Sequence, residues 1–167
     1  SIEYLSMQAR AGANALQIFD SWVGAVNSTE YEQAIFPHMK RIISTVKSRF
    51  PNLPLAMNGV GTDHLVSTWA KLPLDVIALD WRSSLGAAKD RGVTQTVQGN
   101  LDPAYLYGDT KTIAKIVDEI LMDGVRHGKH VFNLGHGVFP EADPAKLHWL
   151  TDYVHEKSRE LWARESR

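Results

Sequence analysis

Thr94-Gln95-Thr96-Val97, a helical pattern carrying Ile113, Ile116, Val117, Ile120 and Leu121, and then His130-Val131-Phe132-Asn133-Leu134 form the stretch on which the fold turns. Apolar runs of four or five residues suit strands, because helices of globular domains need about ten or more. Asp109 or Thr110 can cap the intervening helix, and Gly124 and Gly128 stand near its end. Strand, helix, strand in this order implies parallel pairing through a right-handed crossover.

The same unit recurs upstream. Leu16-Gln17-Ile18-Phe19, Leu53-Pro54-Leu55-Ala56-Met57 and Val76-Ile77-Ala78-Leu79 are further strand-like runs. Between the first two, Asn27 or Ser28 can cap a helix with Ile35, Phe36, Met39, Ile42, Ile43 and Val46 on one stripe. Pro37 interrupts it and predicts a kink or a change of register. Shorter helices are expected over Asp63–Leu72 and Ser84–Arg91, and the opening residues through Ala13 read as helix. Downstream, Asp143 as cap and Pro144 in the first turn start a last helix with Leu147, Leu150 and Val154 on one face.

The result is an α/β architecture in one domain, with no linker or low-complexity tract. Strand centres near residues 18, 55, 78, 96 and 132 are unevenly spaced, which excludes a sequence-level solenoid repeat. Two arrangements fit. A complete eight-unit barrel takes about 250 residues, so five units would be about two-thirds of one. The other is a five-stranded doubly wound sheet. Ser1-Ile2-Glu3-Tyr4-Leu5 has neither an initiator methionine nor a signal-peptide pattern, and reads as a cut from a longer chain.

Composition narrows the function. Eighteen basic and 19 acidic side chains leave a net charge of −1, against a general nucleic-acid or membrane-surface binder. No apolar run reaches the roughly 20 residues that span a bilayer. The cysteine count is zero, which removes thiolate nucleophiles, disulfides and Cys-ligated metal from these 167 residues and fits a reducing compartment.

Chemistry in parallel α/β proteins gathers at the carboxyl ends of the strands. Here those ends carry Phe19-Asp20-Ser21-Trp22-Val23-Gly24, Leu79-Asp80-Trp81-Arg82, Gln98-Gly99-Asn100-Leu101-Asp102-Pro103 and Phe132-Asn133-Leu134-Gly135-His136-Gly137. Asp102 with Pro103 also makes a natural helix start, and Asp20 or Asp80 can cap a helix or hold a loop. The glycine turn around Gly59 and Gly61 lacks a G-x-G-x-x-G or G-K-[ST] pattern, so a nucleotide site is not expected. His127 and His130 flank a Gly-Lys turn with no third ligand nearby, which gives no metal site. His148 and His155 read as helix-surface residues. Ser21 is outside any G-x-S-x-G elbow and is expected to donate a hydrogen bond rather than attack. His136, between two glycines, can project into a site, donate to a carboxylate and titrate near neutrality.

Taken together, Gln17-Ile18-Phe19-Asp20-Ser21-Trp22, Leu79-Asp80-Trp81, Gln98-Gly99-Asn100-Leu101-Asp102-Pro103 and Phe132-Asn133-Leu134-Gly135-His136-Gly137 resemble the uroporphyrinogen decarboxylase family, in order from about Tyr4 to His155, with wording close to its bacterial branch. The resemblance implies the C-terminal five βα units of a (β/α)8 TIM barrel, with the N-terminal units absent. It implies an enzyme, usually a cytoplasmic homodimer, that removes the four acetate carboxylates of uroporphyrinogen III to give coproporphyrinogen III on the way to haem. No metal or organic cofactor is implied. Ser21 and His136 match family positions that contact substrate, with His136 expected to bind a carboxylate rather than to move the essential proton. The family's arginine-rich segment, its aspartate at the pyrrole nitrogens and its active-site tyrosine fall upstream of Ser1, so this piece is expected to be inactive alone. Two alternatives stand beside this reading. One is a corrinoid- and zinc-dependent methyltransferase of related fold, disfavoured by the absence of cysteine. The other is a non-catalytic tetrapyrrole-binding barrel fragment.

Overall fold

The computed structural model describes residues 1–165. Five strands alternate with helices: β1 (Leu16–Asp20), β2 (Leu55–Gly59), β3 (Val76–Ala78), β4 (Thr96–Leu101) and β5 (His130–Leu134). The longer helices are α1 (Ile2–Arg10), α3 (Phe36–Arg49), α5 (Thr110–His127) and α6 (Pro144–Glu165), with short α2 (Ser28–Glu30) and α4 (Val66–Trp69) between them.

Strand order decides between the two expected arrangements. The sheet runs β1-β2-β3-β4-β5, every pair parallel and every strand beside its neighbour in sequence. A doubly wound sheet reverses direction at a switch point. This sheet never does, so right-handed crossovers put the helices on one face, as in a barrel. The chain is five consecutive βα units of a (β/α)8-type barrel.

Register then sorts the side chains. Met57 pairs with Ile77 and Ile77 with Val97, and all three are fully buried beneath the helices. The alternate row runs Phe19, Asn58, Ala78, Gln98, Val131 across all five strands. Side chains one residue apart on a strand point to opposite faces, so this row lies on the helix-free side. Phe19 and Val131, at its two ends, are 70% and 47% exposed. The helix-side core continues under α5 and α6 through Leu101, Leu106, Ile113, Val117 and Leu150.

Several local expectations need correction. α1 stops at Arg10 rather than Ala13, because Gly12 takes a φ of +97° and leaves the helical region. Asn27 does cap α2, its side-chain oxygen accepting from the Glu30 N–H at 2.9 Å. Pro37 then produces a register change: a π-helical turn over Tyr31–Ile35 precedes α3, whose first turn holds the proline where its missing N–H is tolerated. The helix expected over Asp63–Leu72 is a 3-10 turn, Asp63–Leu65, followed by the single turn of α4. Only Lys89–Arg91 of the expected Ser84–Arg91 helix is helical, as a 3-10 turn. Leu85 and Ala88 are its only buried apolar side chains, too few to hold a longer helix against the sheet. β4 begins at Thr96 and extends to Leu101, so Gln98, Gly99 and Asn100 are strand residues. Leu53 and Pro54 likewise lie before β2, which starts at Leu55.

Candidate functional site

The carboxyl ends of the strands surround an open cleft of about 540 Å³. Gln17, Phe19 and Ser21 enter it from β1 and its following residue, Asn58 from β2, Gln98 from β4, and Asn133 with His136 from β5 and the loop beyond. Ser21 and His136, some 115 positions apart in sequence (136 − 21), line the same space. The amides Gln17, Asn58, Gln98 and Asn133 give the floor both donors and acceptors without charge. Sequence reading does not single these amides out; their signal is the two-residue alternation of each strand, visible once the strand bounds are right.

A buried carboxylate ties the loops above this floor together. Asp80, 1% exposed, accepts from the Gly61 backbone N–H, from the Arg82 N–H at 3.0 Å and from Arg82 Nη1 at 2.9 Å. It therefore holds a neighbouring loop and does not cap a helix. Gly61 is engaged by that carboxylate, so the glycine turn serves the scaffold and not a phosphate. Asn100, also buried, donates through Nδ2 to the Asp80 carbonyl at 2.9 Å and the Ser83 carbonyl at 2.6 Å, pinning the loop after β3 to β4. Asp102 caps the 3-10 turn Pro103–Tyr107 by accepting from the Ala104 N–H at 2.9 Å, as expected. Two glycines of the motifs have steric reasons. At Gly99 (φ +132°) a Cβ would press on the Leu79 carbonyl, and at Gly135 on the Trp81 backbone nitrogen.

Gly135 thus brings the loop after β5 against the loop after β3. The next residue, His136, meets the Trp81 ring edge-on, with centroids 5.9 Å apart and planes at 84°. On the Trp81 ring lies the Arg82 guanidinium, 3.9 Å from the centroid. Farther along the same loop, Phe139 stacks on Tyr107 at 6.1 Å and 25°. The exposed His136 is consequently supported on both sides of its loop.

His127 and His130 are structural. His127 ends α5 and its Nε2 meets the Gln95 carbonyl at 2.8 Å; His130 opens β5 and its Nε2 meets the Gly99 carbonyl at 2.7 Å. Burial holds the His130 imidazole below its ordinary pKa. Burial also raises the Asp20 carboxyl at the end of β1. No group of three or more His, Cys, Asp or Glu side chains suited to a metal occurs among the described residues, and no described helix is long and apolar enough to cross a membrane.

The sequence model of the uroporphyrinogen decarboxylase (URO-D) family matches residues 1–157. The chain belongs to the uroporphyrinogen decarboxylase family. It is 48% identical over 155 residues to the uroporphyrinogen decarboxylases of Staphylococcus aureus strains JH9 and Newman, covering 93% of this chain and 45% of each relative. It thus spans somewhat under half the length of those curated relatives. That share is smaller than the two-thirds expected from strand counting, because the relatives are longer than a minimal barrel. Among solved structures, a methyltransferase from Methanosarcina mazei superposes with a TM-score of 0.75 at 18% identity, over 93% of this chain and 45% of that one. This second likeness speaks for the barrel fold alone. Within the URO-D family frame, the motifs that carry Ser21, Asp80, Asn100 and His136 are the strand ends that meet at the cleft or bind its loops together.

Proposed function

We propose that this chain supplies part of the active site that decarboxylates the four acetate side chains of uroporphyrinogen III, giving coproporphyrinogen III and CO₂ in haem synthesis. The observation that carries the proposal is the 48% identity to uroporphyrinogen decarboxylases along almost the whole chain. The convergence of Ser21 and His136 on one cleft supports it. The working protein is a cytoplasmic homodimer that needs no metal or organic cofactor.

The chemistry divides into holding and reacting. Protonating a pyrrole ring makes it an electron sink; the bond from the acetate methylene to its carboxyl then breaks, its electron pair enters the ring and CO₂ leaves, after which a proton added to the methylene makes the methyl group and the ring gives up its extra proton to restore the pyrrole. An enzyme must place an octacarboxylate and stabilise positive charge on the ring at that moment. Ser21 and His136 belong to the holding. The hydroxyl donates one hydrogen bond, and the imidazole donates to a substrate carboxylate. Neutral amides along Gln17, Asn58, Gln98 and Asn133 give the tetrapyrrole a polar floor with no fixed negative charge to repel its carboxylates.

The test is turnover of uroporphyrinogen III by this chain joined with the segment of the S. aureus relative that lies outside the matched 155 residues. Coproporphyrinogen III and four equivalents of CO₂ are expected; binding without CO₂ release would instead make it a tetrapyrrole-binding module. In the same assembly His136→Ala is expected to raise KM about tenfold, the loss of one charge-assisted hydrogen bond. Abolished turnover at unchanged KM would assign His136 to proton transfer.

A further inference from the structure

Asp80, Arg82, Trp81 and His136 form a contact chain that the Ser21 and His136 assignment does not use. Its inner end is fixed. A carboxylate that is 99% buried must stay paired, and Asp80 is met by two backbone N–H groups as well as by Arg82 Nη1. Its outer end is open. Half of the Arg82 side chain is in solvent although its partner is buried.

The geometry of a guanidinium makes that contrast informative. It has five N–H donors, all lying in one plane. Stacking on an indole occupies the face of that plane and leaves its edges free. Asp80 takes one edge through Nη1. The other N–H groups remain for a second acceptor, on a ring that itself touches His136. A residue needed only to neutralise Asp80 would have no reason to lie across Trp81 with half its surface in water. A flat, charged fork separated from an imidazole by one indole ring suits a carboxylate, which it can grip with two parallel hydrogen bonds.

We infer that Arg82 is a carboxylate-binding residue at the rim of this mouth, held one ring away from His136 by the Asp80 ion pair and the Trp81 stack. The inference rests on the substrate reading above and extends it. This half of the barrel carries a cation of its own for the substrate's carboxylates and does not depend wholly on arginines supplied by other units. Lysine at this position keeps the charge and loses both the fork and the stack.

The probe is uroporphyrin III, the stable oxidised octacarboxylate, titrated into this chain at low and moderate salt. Arg82→Gln keeps a donor for Asp80 and removes the cation. It is expected to bind about tenfold more weakly and with a shallower salt dependence, since one ionic contact is lost. Arg82→Lys is expected to fall between the two. The double variant Asp80→Asn with Arg82→Gln removes the buried charge as well, and should bind as weakly as Arg82→Gln. Recovery of full affinity in the double variant would mean that Arg82 serves Asp80 alone and would overturn the inference. So would wild-type affinity and salt dependence in Arg82→Gln, and if His136→Ala still weakened binding the substrate reading would survive. Equal binding of the octamethyl ester and the acid by the unsubstituted chain would overturn both.

Discussion

Asn100 shows how little of a motif's meaning is chemical at first hand. It sits in the run Gln98-Gly99-Asn100-Leu101-Asp102-Pro103, yet its side chain is buried and donates to the Asp80 and Ser83 carbonyls. Asn100→Ala leaves the buried Ser83 carbonyl without its donor, while the Asp80 carbonyl keeps the Ser83 N–H at 3.1 Å, and is expected to lower stability by about 1–3 kcal/mol, read from the urea midpoint. His130 gives a pH prediction. Burial lowers its pKa below the ordinary 6.5 in the folded chain, so below that pH the unfolded state binds the proton first. Stability is therefore complete above about pH 6.5 and declines as pH falls toward the folded pKa. Urea unfolding across pH 5 to 7.5 should show a shallower decline in His130→Gln. Ser21 and His136 stand out in the sequence by their surroundings, a strand end and a glycine pair, and both line the cleft. The contacts of Trp81 and Arg82 do not. Their meaning lies in a cation–π stack and an edge contact to a residue 55 positions away (136 − 81), which no local pattern encodes.

Elements were legible wherever apolar periodicity alone determines them. α5 begins at Thr110 with Asp109 as its cap, accepting from the Thr112 N–H at 2.9 Å, and its buried stripe of Ile113, Val117 and Leu121 is the one read from spacing. β5 matches residue for residue. The misread segments are those shaped by contact. Residues 84–91 have few apolar side chains, and Gly86 lies against the Asp123 carboxylate, so tertiary packing sets their turns. The π-helical turn before Pro37 depends on where a missing N–H falls in the helix, which spacing cannot give. At Gly124, α5 packs directly against the His130 ring of β5. A methyl group there would drive into the His130 ring, so Gly124→Ala is expected to cost about 1–3 kcal/mol in spite of its gain in helix propensity. Thermal melting of that variant gives the sign directly: an unchanged or higher Tm would contradict this packing.

At the scale of the whole molecule, one property organises the rest: five parallel strands follow one another without a reversal of order. That order separates a helix-covered face rich in Met57, Ile77 and Val97 from a face carrying Phe19, Asn58, Gln98 and Val131, and it collects the strand ends at one mouth. The strand pattern by itself left a barrel and a doubly wound sheet open, because strand order is a property of pairing and not of any one segment; the motifs, through their family resemblance, pointed to the barrel. The central claim is that Ser21 and His136 hold one substrate at that mouth. Histidine resonances of the chain, followed by NMR during titration with uroporphyrin III, test it most directly. The account predicts a saturable shift at His136, none at His148 or His155, and an affinity about tenfold weaker in Ser21→Ala. Saturable binding that leaves the His136 resonance in place would contradict it.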